Sequence, residues 1–225
     1  MSIKAAVVTF PGSNCDQDMH RAVKLMDWQL VKLWHEDALT ESVDVIFVPG
    51  GFSYGDYLRC GALARFSRAM KSVAEHAARG GIVMGVCNGF QILCEAGLLP
   101  GALTRNAGLS FRCEWVTLAV ANTSAFTNAC DVNQELRIPI AHGEGRFHID
   151  DEGLTRLRGE GQIVYTYRHG NPNGSVGDIA GIMNTRGNVL GMMPHPERAM
   201  EALLGGTDGQ LVFRSIENAL SKVGA

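Results

Sequence analysis

Gly85-Val86-Cys87-Asn88-Gly89-Phe90-Gln91 follows directly on the apolar run Ile82-Val83-Met84. A cysteine with glycines two before and two after it, where a β-branched run gives way to a helix-forming one, is the layout of a nucleophile elbow with sulfur in place of a serine oxygen. On so tight a strand-to-helix turn the flanking positions must be small for the chain to fold back closely, and Gly85 and Gly89 satisfy this. Unpaired N–H groups and the positive dipole at the head of the next helix favour thiolate over thiol. The pattern predicts an exposed Cys87 of lowered pKa beside a backbone oxyanion donor. Taken alone, Cys87 is also compatible with a core position, since free cysteine is among the most buried residue types.

A partner base lies in Gly191-Met192-Met193-Pro194-His195-Pro196-Glu197-Arg198. Prolines on both sides of His195 exclude helix and predict an extended segment, in which His195 and Glu197, two apart, project to the same side. The carboxylate would fix the imidazole tautomer and leave the other nitrogen facing the thiol, completing a Cys87-His195-Glu197 triad. A third element is Val45-Ile46-Phe47-Val48-Pro49-Gly50-Gly51-Phe52. An apolar strand ending in Pro-Gly-Gly presents backbone N–H groups at a sheet edge, and the N–H groups of Gly51 and Asn88 are assigned as the oxyanion pair. The glycines could equally serve a plain turn or a phosphate loop. The run lacks the Gly-Lys-Ser/Thr ending of a P-loop, and neither that motif nor Gly-x-Gly-x-x-Gly occurs in the chain.

Together, Cys-x-Gly-x-Gln after a strand, the upstream Pro-Gly-Gly and the downstream His-Pro-Glu resemble the triad-type (class I) glutamine amidotransferases. Gly50-Gly51-Phe52-Ser53-Tyr54-Gly55-Asp56-Tyr57, Cys87-Asn88-Gly89-Phe90-Gln91-Ile92-Leu93, Ala141-His142-Gly143-Glu144-Gly145-Arg146 and Val8-Thr9-Phe10-Pro11-Gly12-Ser13-Asn14-Cys15-Asp16 are similar to the glutaminase subunits of phosphoribosylformylglycinamidine synthases. The likeness runs nearly end to end. It implies attack of Cys87 on the side-chain amide of L-glutamine, proton delivery by His195 to departing ammonia, and hydrolysis of a γ-glutamyl thioester. It also implies that Gln91, Asn106 and Phe111 contact the substrate, although Gln91, at helical spacing from Cys87, could instead be a surface polar residue. The ammonia would serve ATP-dependent conversion of formylglycinamide ribonucleotide to formylglycinamidine ribonucleotide. No phosphate loop or Mg-ligand cluster is visible here, so ATP and Mg2+ are expected on a partner synthetase subunit, with a small third protein bridging the two. The competing readings are a non-catalytic binding subunit, the glutaminase of another amidotransferase, and a cysteine peptidase or hydrolase on a similar sheet.

Composition narrows the field without deciding it. Twenty Lys+Arg against 23 Asp+Glu in 225 residues give a net charge of -3 with no basic run, which makes nucleic acid and anionic membrane poor partners. No stretch approaches the ~18 apolar residues of a spanning helix. Six cysteines show no C-x-x-C pair and no zinc-ligand rhythm, so no metal site is expected. A catalytic thiol suits a reducing compartment and points to the cytoplasm. Cys94 is expected to face the core, and Cys15, Cys60, Cys113 and Cys130 are read as structural. His142 and His148 frame a loop that lacks a third ligand by local spacing, and the resemblance places it near the active-site mouth or a partner contact.

The elements that must position these residues alternate. Strands near 3–10, 28–34, 43–48 and 81–86 interleave with helices near 15–26, 62–79 and 88–96, a βαβ rhythm that predicts a parallel sheet. Asp16 is expected to cap the first helix, whose Met19, Ala22, Val23 and Met26 form an apolar stripe. Beyond residue 110 the chain becomes strand-rich, at 111–120, 136–140, 163–167, 179–183 and 189–193, with Asn173-Gly174 as a turn signal, before a helix near 208–222. The fold class is therefore α/β: one domain over 1–225, with a mostly parallel central sheet flanked by helices and an added antiparallel C-terminal half, of flavodoxin-like, class I amidotransferase type. Gly51, Cys87 and His195 each follow a predicted strand, where open α/β sheets gather their working residues.

Overall fold

The computed structural model describes residues 2–223. The N-terminal half alternates β1 (Lys4–Thr9), α1 (Asp16–Leu25), β2 (Gln29–Trp34), β3 (Val45–Val48), α2 (Arg68–Ala78), β4 (Ile82–Val86) and α3 (Asn88–Glu95). There follow β5 (Ala102–Thr104), β6 (Arg112–Val120), β7 (Glu135–His142), β8 (Arg146–His148), α4 (Asp151–Gly159), β9 (Ile163–Arg168), β10 (Ile179–Met183), β11 (Val189–Met192) and α5 (Gly209–Val223). One nine-stranded sheet runs β2-β1-β3-β4-β11-β10-β9-β6-β7, and β5 pairs with β8 in a separate ribbon. From β2 to β11 neighbouring strands are parallel, and from β11 to β7 they are antiparallel.

The two halves are built differently because their strands are buried differently. Ala5 to Val8 and Val45 to Val48 are completely buried, as central strands covered on both faces must be, and they read as continuous apolar runs. Strand β7 at the far edge alternates exposed and buried residues and tolerates Pro139, whose missing N–H a ladder interior would need. Phe213 of α5 closes over Phe47 and Trp28, with ring centroids 5.6 and 6.1 Å away. Each such buried aromatic contributes about 1.5–3 kcal/mol.

Close packing of α3 on the sheet depends on two glycines facing each other across β4 and β11. A Cβ on Gly191 would lie 2.1 Å from Phe90 Cδ2, and one on Gly85 would lie 2.5 Å from Leu93 Cδ1. The helix that follows Cys87 can therefore sit directly on the strand that precedes it.

Several sequence expectations need correction. The segment 62–79 is not one helix: a 3-10 turn over Ala64–Phe66 ends at Ser67, whose side chain accepts from Met70 N at 3.1 Å and starts α2 afresh. The N-cap of α1 is Cys15 without a side-chain cap; Asp16 lies in the first turn and accepts from Thr9 Oγ1. Asn173-Gly174, read as a turn signal, lies in the loop between β9 and β10, with Gly174 at φ 80°. The short β5 and β8 and the whole of α4 have no counterpart in the sequence reading.

Candidate functional site

Cys87 occupies the junction of β4 and α3 with φ 52° and ψ -107°, a conformation that a residue bearing a Cβ adopts only under constraint. The constraint comes from both sides. Its N–H donates to Met192 O at 2.8 Å, and its carbonyl accepts from Gln91 N at 3.2 Å as the helix begins. The small flanking residue is obligatory at Gly89, where a Cβ would stand 1.8 Å from Val48 O.

The thiol departs from the sequence expectation in two respects. Cys87 is 7 % exposed, and burial pushes its thiol well above the ordinary value, with the negative charge of Glu197 adding to the rise. The backbone N–H of Asn88 and the guanidinium of Arg198 act in the opposite direction and are outweighed. Desolvation thus beats the helix N-terminus, and the resting sulfur is a thiol that donates to Ala141 O at 3.7 Å.

His195 arrives from the end of β11, the parallel neighbour of β4, and is 1 % exposed. Its N–H donates to Pro139 O at 2.8 Å, anchoring the loop to the edge strand. Its Nδ1 lies 2.6 Å from Glu197 Oε1, inside a pocket of structure that buries both side chains. The route to this contact is not the extended segment expected from the prolines. Pro196 starts a 3-10 turn over Pro196–Arg198, the first helical position suiting its fixed φ, and the turn brings Glu197 back under the ring. His195 Nε2 is buried without a hydrogen-bond partner. With Nδ1 committed to a carboxylate, Nε2 is the nitrogen left to exchange a proton.

Gly50 brings these groups to one place. A Cβ built on it would meet His195 Cε1 at 2.9 Å, Cys15 Sγ at 3.1 Å and Cys87 Cβ at 3.3 Å. Cys87 and the imidazole therefore crowd a single glycine, and Cys15, read from the sequence as structural, crowds it with them. Cys15 Sγ also faces Arg198 Nη2 at 3.0 Å, and burial pushes its thiol up to about 12. Cys15, His195 and Glu197 could each turn a donor atom toward one point, all within 4.8 Å of one another. The guanidinium on the sulfur opposes a cation there, and the His195–Glu197 bond already satisfies the pair.

A cavity of about 310 Å³ opens on Cys87, with Gly51, Phe52, Gln91, Phe111 and the segment from Ala141 to Glu144 in its wall. Gly51, at φ 137°, faces Ser13 across an isolated bridge that ties the loop after β3 to the loop after β1. Asn88 serves the same loop with its side chain, accepting from Ser53 N at 3.2 Å and donating to Gln91 Oε1 at 2.8 Å. Gln91 is buried, not a surface residue, and donates to Glu144 O at 2.7 Å. Phe111 is 55 % exposed at the mouth. Asn106 is placed differently from the reading based on resemblance: it is 1 % exposed and absent from the cavity wall. Its amide is spent on Ser110 O, His142 O and Gly145 N, so it shapes the loop that carries Ala141 to Glu144.

Sequence reasoning left His142 without a role and read Cys60 as structural, and both line the cavity. Asn173 Nδ2 lies 3.0 Å from His142 Nε2 while Asn173 Oδ1 accepts from Ser175, which makes His142 Nε2 an acceptor and places its proton on Nδ1. Burial and the nearby His195 lower the His142 pKa to about 3. No local spacing signals this; the contact comes from a residue 31 positions along the chain.

A cysteine elbow, a carboxylate-held histidine and a glycine loop at the carboxyl ends of parallel strands define a class of amide-cleaving enzyme, and known proteins agree. Residues 2–206 match the model of the CobB/CobQ-like glutamine amidotransferase domain. The chain is 55 % identical to the phosphoribosylformylglycinamidine synthase subunit PurQ of Roseobacter denitrificans, over 97 % of this chain and 99 % of that one. It is 58 % identical to the subunit of the same name from Lacticaseibacillus paracasei, over 96 % and 95 %. A chain in the structure of PurLQS from Thermotoga maritima superposes with a TM-score of 0.90 at 47 % identity, covering 98 % of this chain and all of that one. A glutamine amidotransferase from the same organism, 14 % identical with a TM-score of 0.62 over 99 % of this chain and 95 % of its own, shares the fold. The chain belongs to the CobB/CobQ-like glutamine amidotransferase family, among the PurQ subunits of phosphoribosylformylglycinamidine synthase. No helix among the described residues is long and apolar enough to cross a membrane.

Proposed function

We propose that this chain hydrolyses L-glutamine to glutamate and ammonia and passes the ammonia to a synthetase for ATP-dependent formation of formylglycinamidine ribonucleotide from formylglycinamide ribonucleotide in purine biosynthesis. The observation that carries this reading is the strained Cys87 elbow sharing the Gly50 contact point with a His195 whose Nδ1 is bound to Glu197.

Cys87 Sγ attacks the carboxamide carbon of glutamine while His195 Nε2 takes the thiol proton. The oxygen that becomes negative is received by the N–H groups of Gly51 and Asn88. His195 then returns the proton to the amide nitrogen, the C–N bond breaks, ammonia leaves and a γ-glutamyl thioester remains. Water, deprotonated by the same imidazole, adds to the thioester carbon and frees glutamate and the thiol. Glu197 orients the ring and stabilises its charged form. Gln91 and Phe111 form the substrate walls. Because the resting thiol is protonated and turned to Ala141 O, proton transfer to His195 accompanies attack and does not precede it.

The synthetase subunit holds ATP and Mg2+, a small third subunit bridges the two, and the assembly works in the cytoplasm. The PurLQS likeness supports such an assembly. The test is a Cys87→Ala chain combined with its synthetase. Glutamine-dependent product formation is expected to vanish while synthesis from added ammonium salt persists. Loss of both activities together would overturn the division of labour.

A further inference from the structure

Glu197 has only one tie of its own. Its Oε1 lies 2.6 Å from His195 Nδ1, while its Oε2 is buried with no hydrogen-bond partner. The carboxylate is therefore placed by the backbone of its turn and not by a second bond from the side chain. That turn is three residues long, closed by Arg198 N on His195 O at 3.1 Å and by Ala199 N on Pro196 O at 3.0 Å. The bonds of a 3-10 turn have poorer geometry than those of an α-helix, so a turn this short takes its rigidity from what it is tied to.

It is tied on two sides. Gly209 N, at the head of α5, donates to Ala199 O at 2.9 Å. Opposite, the guanidinium of Arg198 lies across the start of α1, with Nε 3.0 Å from Asp18 Oδ2 and Nη2 3.0 Å from Cys15 Sγ. Cys15 and Asp18, three apart at the head of one helix, share a face, and the planar fork of an arginine meets both at once. The Cys15 sulfur is available because it makes no cap bond: it donates to Asn14 Oδ1 at 3.1 Å and accepts from the guanidinium. Ser13, two residues earlier, bridges Gly51, so one stretch after β1 braces both the glycine loop and the turn of Glu197. The side chains of the Arg198–Asp18 pair are 32 % and 42 % exposed, and pairs this open add about 0–1 kcal/mol to stability. Stability alone gives the arrangement little reason.

We propose that Arg198 is a positioning residue for glutamine hydrolysis: anchored on Asp18 and Cys15, it fixes the turn that sets Glu197 under His195. This rests on the glutaminase reading and deepens it. Arg198 exchanges no proton with the reacting atoms; it acts through Glu197. Letting the turn drift by about 1 Å misaligns the imidazole, an error that costs about 10^2-fold in rate. A lysine at 198 brings a point charge for Asp18 but no fork to hold the sulfur as well, so it restores the anchor only in part.

The experiment measures kcat and KM for ammonia release from L-glutamine by the chain in complex with its synthetase, beside the thermal melt of each variant. Arg198→Met is expected to lower kcat by about 10^2-fold, with KM moved by less than about twofold and the melt nearly intact. Arg198→Lys should lose only about tenfold. On a Glu197→Ala background Arg198→Met should cause no further loss, because its effect runs through the carboxylate already removed. Asp18→Asn, at the exposed anchor, should lower kcat by about threefold to tenfold, and it carries the test if Arg198→Met folds poorly. Arg198 also stands in the cavity wall, so a rise in KM with kcat intact would mark a substrate contact and overturn the proposal. Unchanged kcat in both Arg198→Met and Asp18→Asn would overturn it too, as would losses that multiply with that of Glu197→Ala. An unaltered complex that releases no ammonia from L-glutamine overturns the glutaminase reading itself, an outcome distinct from the others.

Discussion

The backbone N–H of Cys87 donates to the carbonyl of Met192 across 2.8 Å, which makes the nucleophile's turn and the strand delivering His195 one hydrogen-bonded piece. Val86 and Met192 are register partners in the parallel β4–β11 ladder, so both chains leave the sheet at the same level. The relative placement of thiol and imidazole is thus set by strand pairing, the least deformable part of the molecule, and the loops only finish it. The 3-10 turn after His195 finishes it by folding Glu197 under the ring, and Gly209 makes room for that turn, since a Cβ there would lie 2.0 Å from Pro196 O.

His195→Ala and Glu197→Ala should therefore differ in severity. Removing the imidazole removes the group placed to move the proton, and a loss in kcat of about 10^6-fold is expected, against about 10^4-fold when the orienting carboxylate goes. Steady-state ammonia release from glutamine, with the thermal melt of each variant as the control for folding, checks this. Equal losses would mean that Glu197 does more than orient.

Two glycines beside Cys87, Gly89 and Gly50, should fail in different ways. At Gly89 an added Cβ meets backbone, Val48 O at 1.8 Å, which cannot yield without parting α3 from β3. Gly89→Ala is expected to cost several kcal/mol of stability, about the upper range for overpacking a core. At Gly50 the added Cβ meets side chains, at 2.9 Å or more. Gly50→Ala should keep nearly the full melting temperature yet lose about 10^2-fold in turnover, because a shift of His195 by a fraction of its width misaligns the proton transfer. Thermal melts beside kinetics separate the two; a Gly50→Ala chain of full activity would show that the crowding has no bearing on catalysis.

How far the sequence could be read follows from which contacts are local. The buried parallel strands were legible because covering on both faces leaves an unbroken apolar run, as in Val45 to Val48. The elbow at Cys87 and the nearness of His195 to Glu197 were legible because each is set within a few residues, whereas the 3-10 turn that joins the second pair was not. Helix α4 was not, since Leu157 is its one fully buried side chain and two hydrophobic positions make no stripe. The three-residue β5 and β8 exist only by pairing with each other. The state of the Cys87 thiol was misjudged because a helix N-terminus is visible in sequence and the depth of burial opposing it is not. Cys15 enters the site for a similar reason: its sulfur meets Arg198 from 183 positions away.

Acid should loosen the fold through His142. Its neutral form is held to about 3, whereas the unfolded chain takes up the proton near the ordinary 6.5. Below that value the unfolded state binds protons that the folded state refuses, so stability falls as pH falls between the two, by about 1.4 kcal/mol per pH unit. Buried His20 and His76, also lowered chiefly by desolvation, add to the slope. Urea midpoints at pH 7 and pH 5 are expected to differ less for His142→Gln than for the unaltered chain. An unchanged difference would remove His142 from the account.

The resting geometry also predicts dependence on the partner. Cys87 is a buried thiol donating to Ala141 O, and the walls that must admit glutamine are the Gly51 loop after β3 and the segment Ala141 to Glu144, which runs from the end of β7 into the loop beyond it. A synthetase docked over these loops could turn the sulfur toward His195 Nε2, which stands buried and unpartnered, and settle the Gly51 N–H against the developing oxyanion. Ammonia release by the isolated chain should then be slow and rise by about tenfold or more when the synthetase is added, with alkylation of Cys87 by iodoacetamide accelerating in parallel; each tenfold corresponds to ~1.4 kcal/mol off the barrier. Coupling of this kind keeps glutamine from being spent when no acceptor is at hand. Equal turnover with and without the synthetase would show that the thiol's resting pose is already the working one.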